Sequence, residues 1–203
     1  MLSRSDHPTL IDLLKHAAEK KPGGLCLSMD GVKCSFSDFY QGALKRAECF
    51  TNLGAQNGDK VGILLPNGIE YLEIFYGAML AGCIPVTINN RYKVAELKYV
   101  LSQGDVKFLF TSAATETNFL NTLKEAFTDL NLTQSSQELA DAPALEKVYV
   151  VEDAPHPQIS DADFLANIGG DDFTPPSVSS DDVAFIMFTS GTTANPKACC
   201  LSH

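Results

Sequence analysis

A chain of 203 residues, 45% hydrophobic and 20% charged, carries enough apolar material for a real core and has the balance of an ordinary globular protein. Its net charge of −10 speaks against a nucleic-acid backbone as partner, because that role needs a basic patch, and no run approaches the eighteen or so apolar residues that span a bilayer. Six cysteines (Cys26, Cys34, Cys49, Cys83, Cys199, Cys200) form no C-x-x-C pair and no zinc spacing with histidine, and the N-terminus lacks a signal-peptide apolar region. Reduced thiols in a cytoplasmic protein are the simplest account.

Thr9 followed by Asp12 caps a first amphipathic helix carrying Leu10, Leu13, Leu14 and Ala17 on one side. Leu25 to Met29 and Val32 to Phe36 flank Asp30-Gly31, a strong hairpin signal. Phe36, Phe39, Tyr40, Ala43, Ala47, Phe50 and Leu53 then recur at helical spacing, with Gly54 placed to end the helix. A strand from Val61 to Leu65 meets the turn Pro66-Asn67-Gly68, and a helix from Ile69 to Ala81 stops at Gly82. Ile84 to Ile88 reads as strand, Val94 to Ser102 as helix, Val106 to Phe110 as strand, Asn118 to Leu130 as helix and Val148 to Val151 as strand. The strands are continuous apolar runs, as expected where helices cover both faces, so the alternation predicts an α/β fold around a mainly parallel sheet.

The charge is unevenly spread. Between Lys147 and Lys197 there is no Lys or Arg, but Glu152, Asp153, Asp161, Asp163, Asp171, Asp172, Asp181 and Asp182 are all acidic. Composition there predicts a solvated connector rather than a metal or acidic-substrate site. The expected organisation is therefore an α/β unit over 1–152, an acidic linker over 153–182, and a strand and loop over 183–203 that open a further subdomain.

That last segment is the chemically informative one. The apolar run Val183 to Phe188 leads into Thr189, Ser190, Gly191, Thr192 and Thr193, then Pro196 and Lys197, then a short apolar strand. Backbone N–H groups of such a loop can converge on an anion, hydroxyls add donors, and Lys supplies charge: a phosphate grip. It is not the NTPase P-loop, because Pro196 holds the place of the second glycine and Ala198 replaces the Mg²⁺-binding hydroxyl. A nucleophile elbow of the form G-x-S-x-G is absent as well. The bland alternatives are a polar turn between strands and a surface ion pair of Lys197 with Asp181 or Asp182. Cys199, Cys200 and His203 invite a Cys–His nucleophile reading, but adjacent strand residues face opposite ways, and the bland expectation is that at least one thiol is buried. Asn89, Asn90 and Arg91 read as structural loop residues.

The string TSGTTANPKA resembles the adenylate-forming enzymes (acyl-CoA synthetases, luciferases, nonribosomal adenylation domains), whose signature runs roughly T-S-G-T-T-G-x-P-K-G and ends at [ST]-H. Thr189, Ser190, Gly191, Thr192, Thr193, Pro196, Lys197, Ser202 and His203 match it. Asn57 to Leu101 is similar to the family's N-terminal block, with G-D-x-V at Gly58 to Val61, the Pro66-Asn67 turn and G-x-x-x-A-G at Gly77 to Gly82. Ser35 to Gly54 and Leu145 to Asp153 also sit where similar segments occur, so the resemblance covers nearly the whole chain.

The resemblance implies an ATP-dependent acid–thiol ligase. A carboxylic acid and ATP give an acyl-adenylate and pyrophosphate, and a thiol, usually that of CoA, captures the acyl group. It implies that Thr189, Ser190, Gly191, Thr192 and Thr193 cradle the β and γ phosphates with Lys197 as the charge, where donors stabilise the pyrophosphate leaving group. It places the Mg²⁺-binding Glu, the CoA site, the acyl pocket and the catalytic Lys downstream of His203. No catalytic or metal-binding residue is thus expected here, and these 203 residues alone are not expected to complete adenylation. Fatty, short-chain, aromatic and betaine-type acids are all left open. Two positions depart from the signature: Ala194 and Ala198 stand where the family carries glycine. If the backbone at 194 requires a positive φ, Ala costs on the order of 1 kcal/mol. The rival expectation is a non-catalytic remnant or interaction module that binds nucleotide weakly or not at all.

Overall fold

The computed structural model describes residues 9–112, 119–132, 134, 136–151, 164–166, 173–189 and 195–203. Helix α1 (Leu10–Lys20) starts at Thr9, whose hydroxyl accepts from the Asp12 N–H at 3.0 Å while the Asp12 carboxylate accepts from the Thr9 N–H at 3.3 Å. This reciprocal cap is the one the spacing predicts. The buried face differs in detail: Leu14 and Ala18 are buried, whereas Leu13 is 40% exposed. Strands β1 (Leu25–Met29) and β2 (Val32–Ser35) form an antiparallel pair with Asp30 and Gly31 at φ 50° and 82°, the left-handed pair that a tight hairpin demands. Phe36 opens helix α2 (Phe36–Asn52) instead of extending β2, because Ser35 caps it through the Asp38 N–H.

The main sheet has six strands: β3 (Lys60–Leu64), β4 (Ile84–Thr87), β5 (Val106–Thr111), β6 (Lys147–Val150), β7 (Val183–Thr189) and β8 (Lys197–Ser202). Their order is β6-β5-β3-β4-β7-β8, parallel throughout except for the antiparallel β7–β8 pair. Helices α3 (Ile69–Leu80), α4 (Val94–Gln103) and α5 (Phe119–Ala126) complete the elements. One core packs Val61, Ile63, Phe108 and Phe110 against Phe50 of α2 and Ile74 of α3. The other packs Leu64, Val86 and Leu109 against Leu97 and Leu101 of α4 and Leu123 of α5. Both faces of the sheet are therefore covered at β3, β4, β5 and β6, which is why those strands read as apolar runs without alternation, whereas β8 is exposed along its length.

Two further details depart from expectation. Helix α5 stops at Ala126 rather than Leu130. The Gln137 side chain captures the backbone of the next turn, accepting from the Asn131 N–H at 3.0 Å and donating to the Asn131 carbonyl at 2.8 Å. The acidic stretch also carries a deep anchor: Phe164 is fully buried, its ring within 5.1 Å of the Phe50, Phe110 and Tyr149 rings. The Arg46 guanidinium lies 5.8 Å from its centroid.

Candidate functional site

Because β3 to β7 run parallel, their carboxyl ends share one edge of the sheet. Ligands of open α/β sheets bind beyond that edge, in the loops that leave it. There the chain leaves β7 at Thr189 and returns as β8 at Lys197. The two are direct partners in the antiparallel ladder, so the hairpin stem closes on the two ends of the hydroxyl-rich loop. The Thr189 hydroxyl donates to the Lys197 carbonyl at 3.5 Å and lies 3.9 Å from the Cys199 sulfur. Both Thr189 and Lys197 are exposed, while Pro196 beside the lysine is buried and pins the returning strand. Of the expected site residues, Ser190, Gly191, Thr192 and Thr193 lie outside the described residues, as does Ala194. The structure thus brings Thr189 and Lys197 together as paired residues at the end of the hairpin stem.

The neighbouring strand holds the stem. Thr87 at the end of β4 donates its hydroxyl to the Ile186 carbonyl at 3.4 Å, and Tyr92, in the following loop, donates to the Phe188 carbonyl at 3.3 Å. That loop is shaped by Asn89, whose side-chain oxygen accepts from the Arg91 N–H at 3.0 Å, a structural role. A cleft of about 360 Å³ lies beside it, lined by Asn90, Arg91, Tyr92, Lys93, Phe119 and Glu125 among others.

The competing readings fare differently. Asp181 and Asp182 precede β7, whereas Lys197 faces the other end of that strand across the ladder. Lys197 is paired with Thr189, seven residues past Asp182 and eight past Asp181, and at roughly 3.3 Å per residue that separation is far beyond ion-pair distance. A Cys–His nucleophile is also refused by geometry. Cys199 faces Thr189, but the His203 Nδ1 accepts from the Leu10 N–H at 3.3 Å, at the far end of β8. Burial holds the His203 pKa below its ordinary value, opposed by the nearby Asp182 and Asp12 carboxylates. The expectation that at least one of the two adjacent thiols is buried is overturned: Cys199 and Cys200 are both exposed, because among the described residues nothing packs over either face of β8. Cys83 is the opposite case, its pKa pushed up to about 12 by burial and by the Asp59 charge, so it is an inert thiol.

Among the described residues no cluster of three His, Cys, Asp or Glu side chains could hold a metal ion, and no helix is long and apolar enough to cross a membrane. Ala198, one of the two departures from glycine, sits exposed in β8 opposite Phe188, where extended backbone accepts any side chain.

Comparison with known proteins extends the picture. The profile of the AMP-binding enzyme family matches residues 14–203. The 4-hydroxybenzoate–CoA/benzoate–CoA ligase of Rhodopseudomonas palustris is 26% identical over 195 residues, which cover 95% of this chain and 33% of that ligase. A probable 4-coumarate–CoA ligase of Dictyostelium discoideum is 30% identical over 208 residues, 94% of this chain and 35% of its own length. Among solved structures, the anthranilate CoA ligase AuaEII in complex with anthranoyl-AMP superposes with a TM-score of 0.80 at 21% identity, over 99% of this chain and 36% of that one. That likeness is one of fold. The chain spans about a third of the length of these relatives.

Proposed function

This chain belongs to the AMP-binding enzyme family, and we propose that within it the chain supplies the grip on the ATP phosphates for an acid–thiol ligase. In the proposed reaction a carboxylate attacks the α-phosphorus of ATP and pyrophosphate leaves, and the acyl-adenylate then passes its acyl group to the CoA thiol with release of AMP. The reading is supported by the CoA-ligase names of the relatives and by the acyl-adenylate held by the structural neighbour. The single observation that carries it is the pairing of Thr189 with Lys197 across the stem of the hydroxyl-rich loop. On this reading the Lys197 charge and the Thr189 hydroxyl act side by side on the bound phosphates. The residues from Thr189 to Thr193 would donate to the β and γ phosphate oxygens, and Lys197 would neutralise charge as pyrophosphate departs. Mg²⁺ and CoA enter with the family reaction, and the described residues offer no carboxylate cluster for the ion. Free cysteines throughout the described residues fit a reducing, cytoplasmic setting.

A grip on β and γ phosphates recognises ATP and inorganic triphosphate but has little to hold on AMP. In equilibrium dialysis with the 203-residue chain, triphosphate should displace labelled ATP and AMP should not. Displacement by AMP as effective as that by triphosphate would mean that the adenosine end, and not this loop, does the binding.

A further inference from the structure

The ladder between β4 and β7 is short. It pairs Val86 with Ile186 and Thr87 with Met187, and then β4 ends and turns away at Asn89. Strand β7 nevertheless continues through Phe188 to Thr189, with β8 bonded along its other side. On a strand, carbonyls two residues apart point the same way, so the Ile186 and Phe188 carbonyls form one row. Each is taken by a side-chain hydroxyl from the β4 side: Thr87 on Ile186 and Tyr92 on Phe188. Phe188 is only 7% exposed, so without the tyrosine its carbonyl would be largely shielded from water and left unpaired. The Tyr92 ring is itself fixed by packing against the core that contains Leu97, Leu101 and Phe188.

We propose that Tyr92 is a positioning residue for the phosphate grip, holding the last peptide of β7 so that Thr189 stays in register with Lys197. The inference rests on the phosphate reading given above. A tyrosine in the loop after β4 thereby acts on a ligand it need not touch. Its hydroxyl replaces the strand partner that β7 has lost, immediately before the chain enters the loop. The ring supplies ordinary core packing, and the hydroxyl alone supplies the alignment.

Tyr92→Phe separates those two contributions, since it keeps the ring and removes the bond. The probe is inorganic triphosphate, titrated into the isotopically labelled 203-residue chain and followed by the amide signals of Thr189 and Lys197. The substitution should weaken triphosphate binding about 3–10-fold, the range expected for one hydrogen bond. It should also shift the Phe188 carbonyl carbon and speed exchange of the Thr189 amide, while amides in β3 and β5 stay in place. A merely structural tyrosine would lower the melting temperature without a selective loss of affinity. Lys197→Ala, run in parallel, tells the two ideas apart. If it weakens binding while Tyr92→Phe leaves affinity and the Phe188 signal unchanged, the tyrosine inference is overturned and the phosphate reading stands. If neither substitution alters binding, the phosphate reading fails and the tyrosine inference falls with it.

Discussion

Gly77 lets α3 lie close against α2, and it does so through the lack of one atom. A Cβ there would lie 2.4 Å from the Arg46 Cβ and 3.0 Å from the Ala43 carbonyl oxygen, a clash with backbone and with the root of a buried side chain. Alanine normally strengthens a helix, but here overpacking outweighs propensity, and Gly77→Ala should cost about 1–3 kcal/mol. Urea unfolding checks this; an unchanged or higher midpoint would show that the helices can part freely. The glycine was legible as part of G-x-x-x-A-G, although the spacing did not reveal which helix it admits. Asp59 of G-D-x-V is explained in the same way. Its carboxylate accepts from the Gln56 N–H at 2.8 Å and from the Lys107 ammonium at 2.7 Å, tying the turn before β3 to β5. Phe164 was illegible, because a lone aromatic in an Asp-rich run has no period and its cage of Phe50, Phe110 and Tyr149 comes from three distant elements.

At the scale of elements, local signals located most helices and strands, because caps, turns and apolar runs are short-range. What they missed was tertiary: the Gln137 side chain bonded to the Asn131 backbone beyond α5, and the exposure of both adjacent thiols on β8. The long-range bond from the Leu10 N–H to the His203 Nδ1 is another such feature. It satisfies one of the donors that every helix leaves open in its first turn, and it ties β8 to α1. Only the neutral imidazole can accept there. The folded pKa lies below the ordinary value of 6.5, so the stabilising contribution is fully present above that pH and is lost as pH falls through the lowered value. The melting temperature of the wild type relative to His203→Gln should therefore decline from about pH 7.5 to about pH 5.5. A difference that stays constant across the range would remove the imidazole from the connection.

At the scale of the whole molecule, the parallel sheet and its two helical layers gather the carboxyl ends of five strands on one edge, and the chain's chemical signature leaves from that edge. The α/β class was legible because alternating apolar strands and amphipathic helices admit few other arrangements. The spatial order β6-β5-β3-β4-β7-β8 was not, since nothing local dictates that β7 crosses to lie beside β4. That placement is what puts Thr87 and Tyr92 within reach of the stem below the loop, and with it the pairing of Thr189 and Lys197. The central claim is that this loop holds the phosphates of ATP with Lys197 as its charge. The most direct measurement is a calorimetric titration of ATP into the wild-type chain and into Lys197→Ala. Loss of one charge-assisted contact should weaken binding about tenfold, or ~1.4 kcal/mol. Equal affinities for the two proteins would contradict the claim.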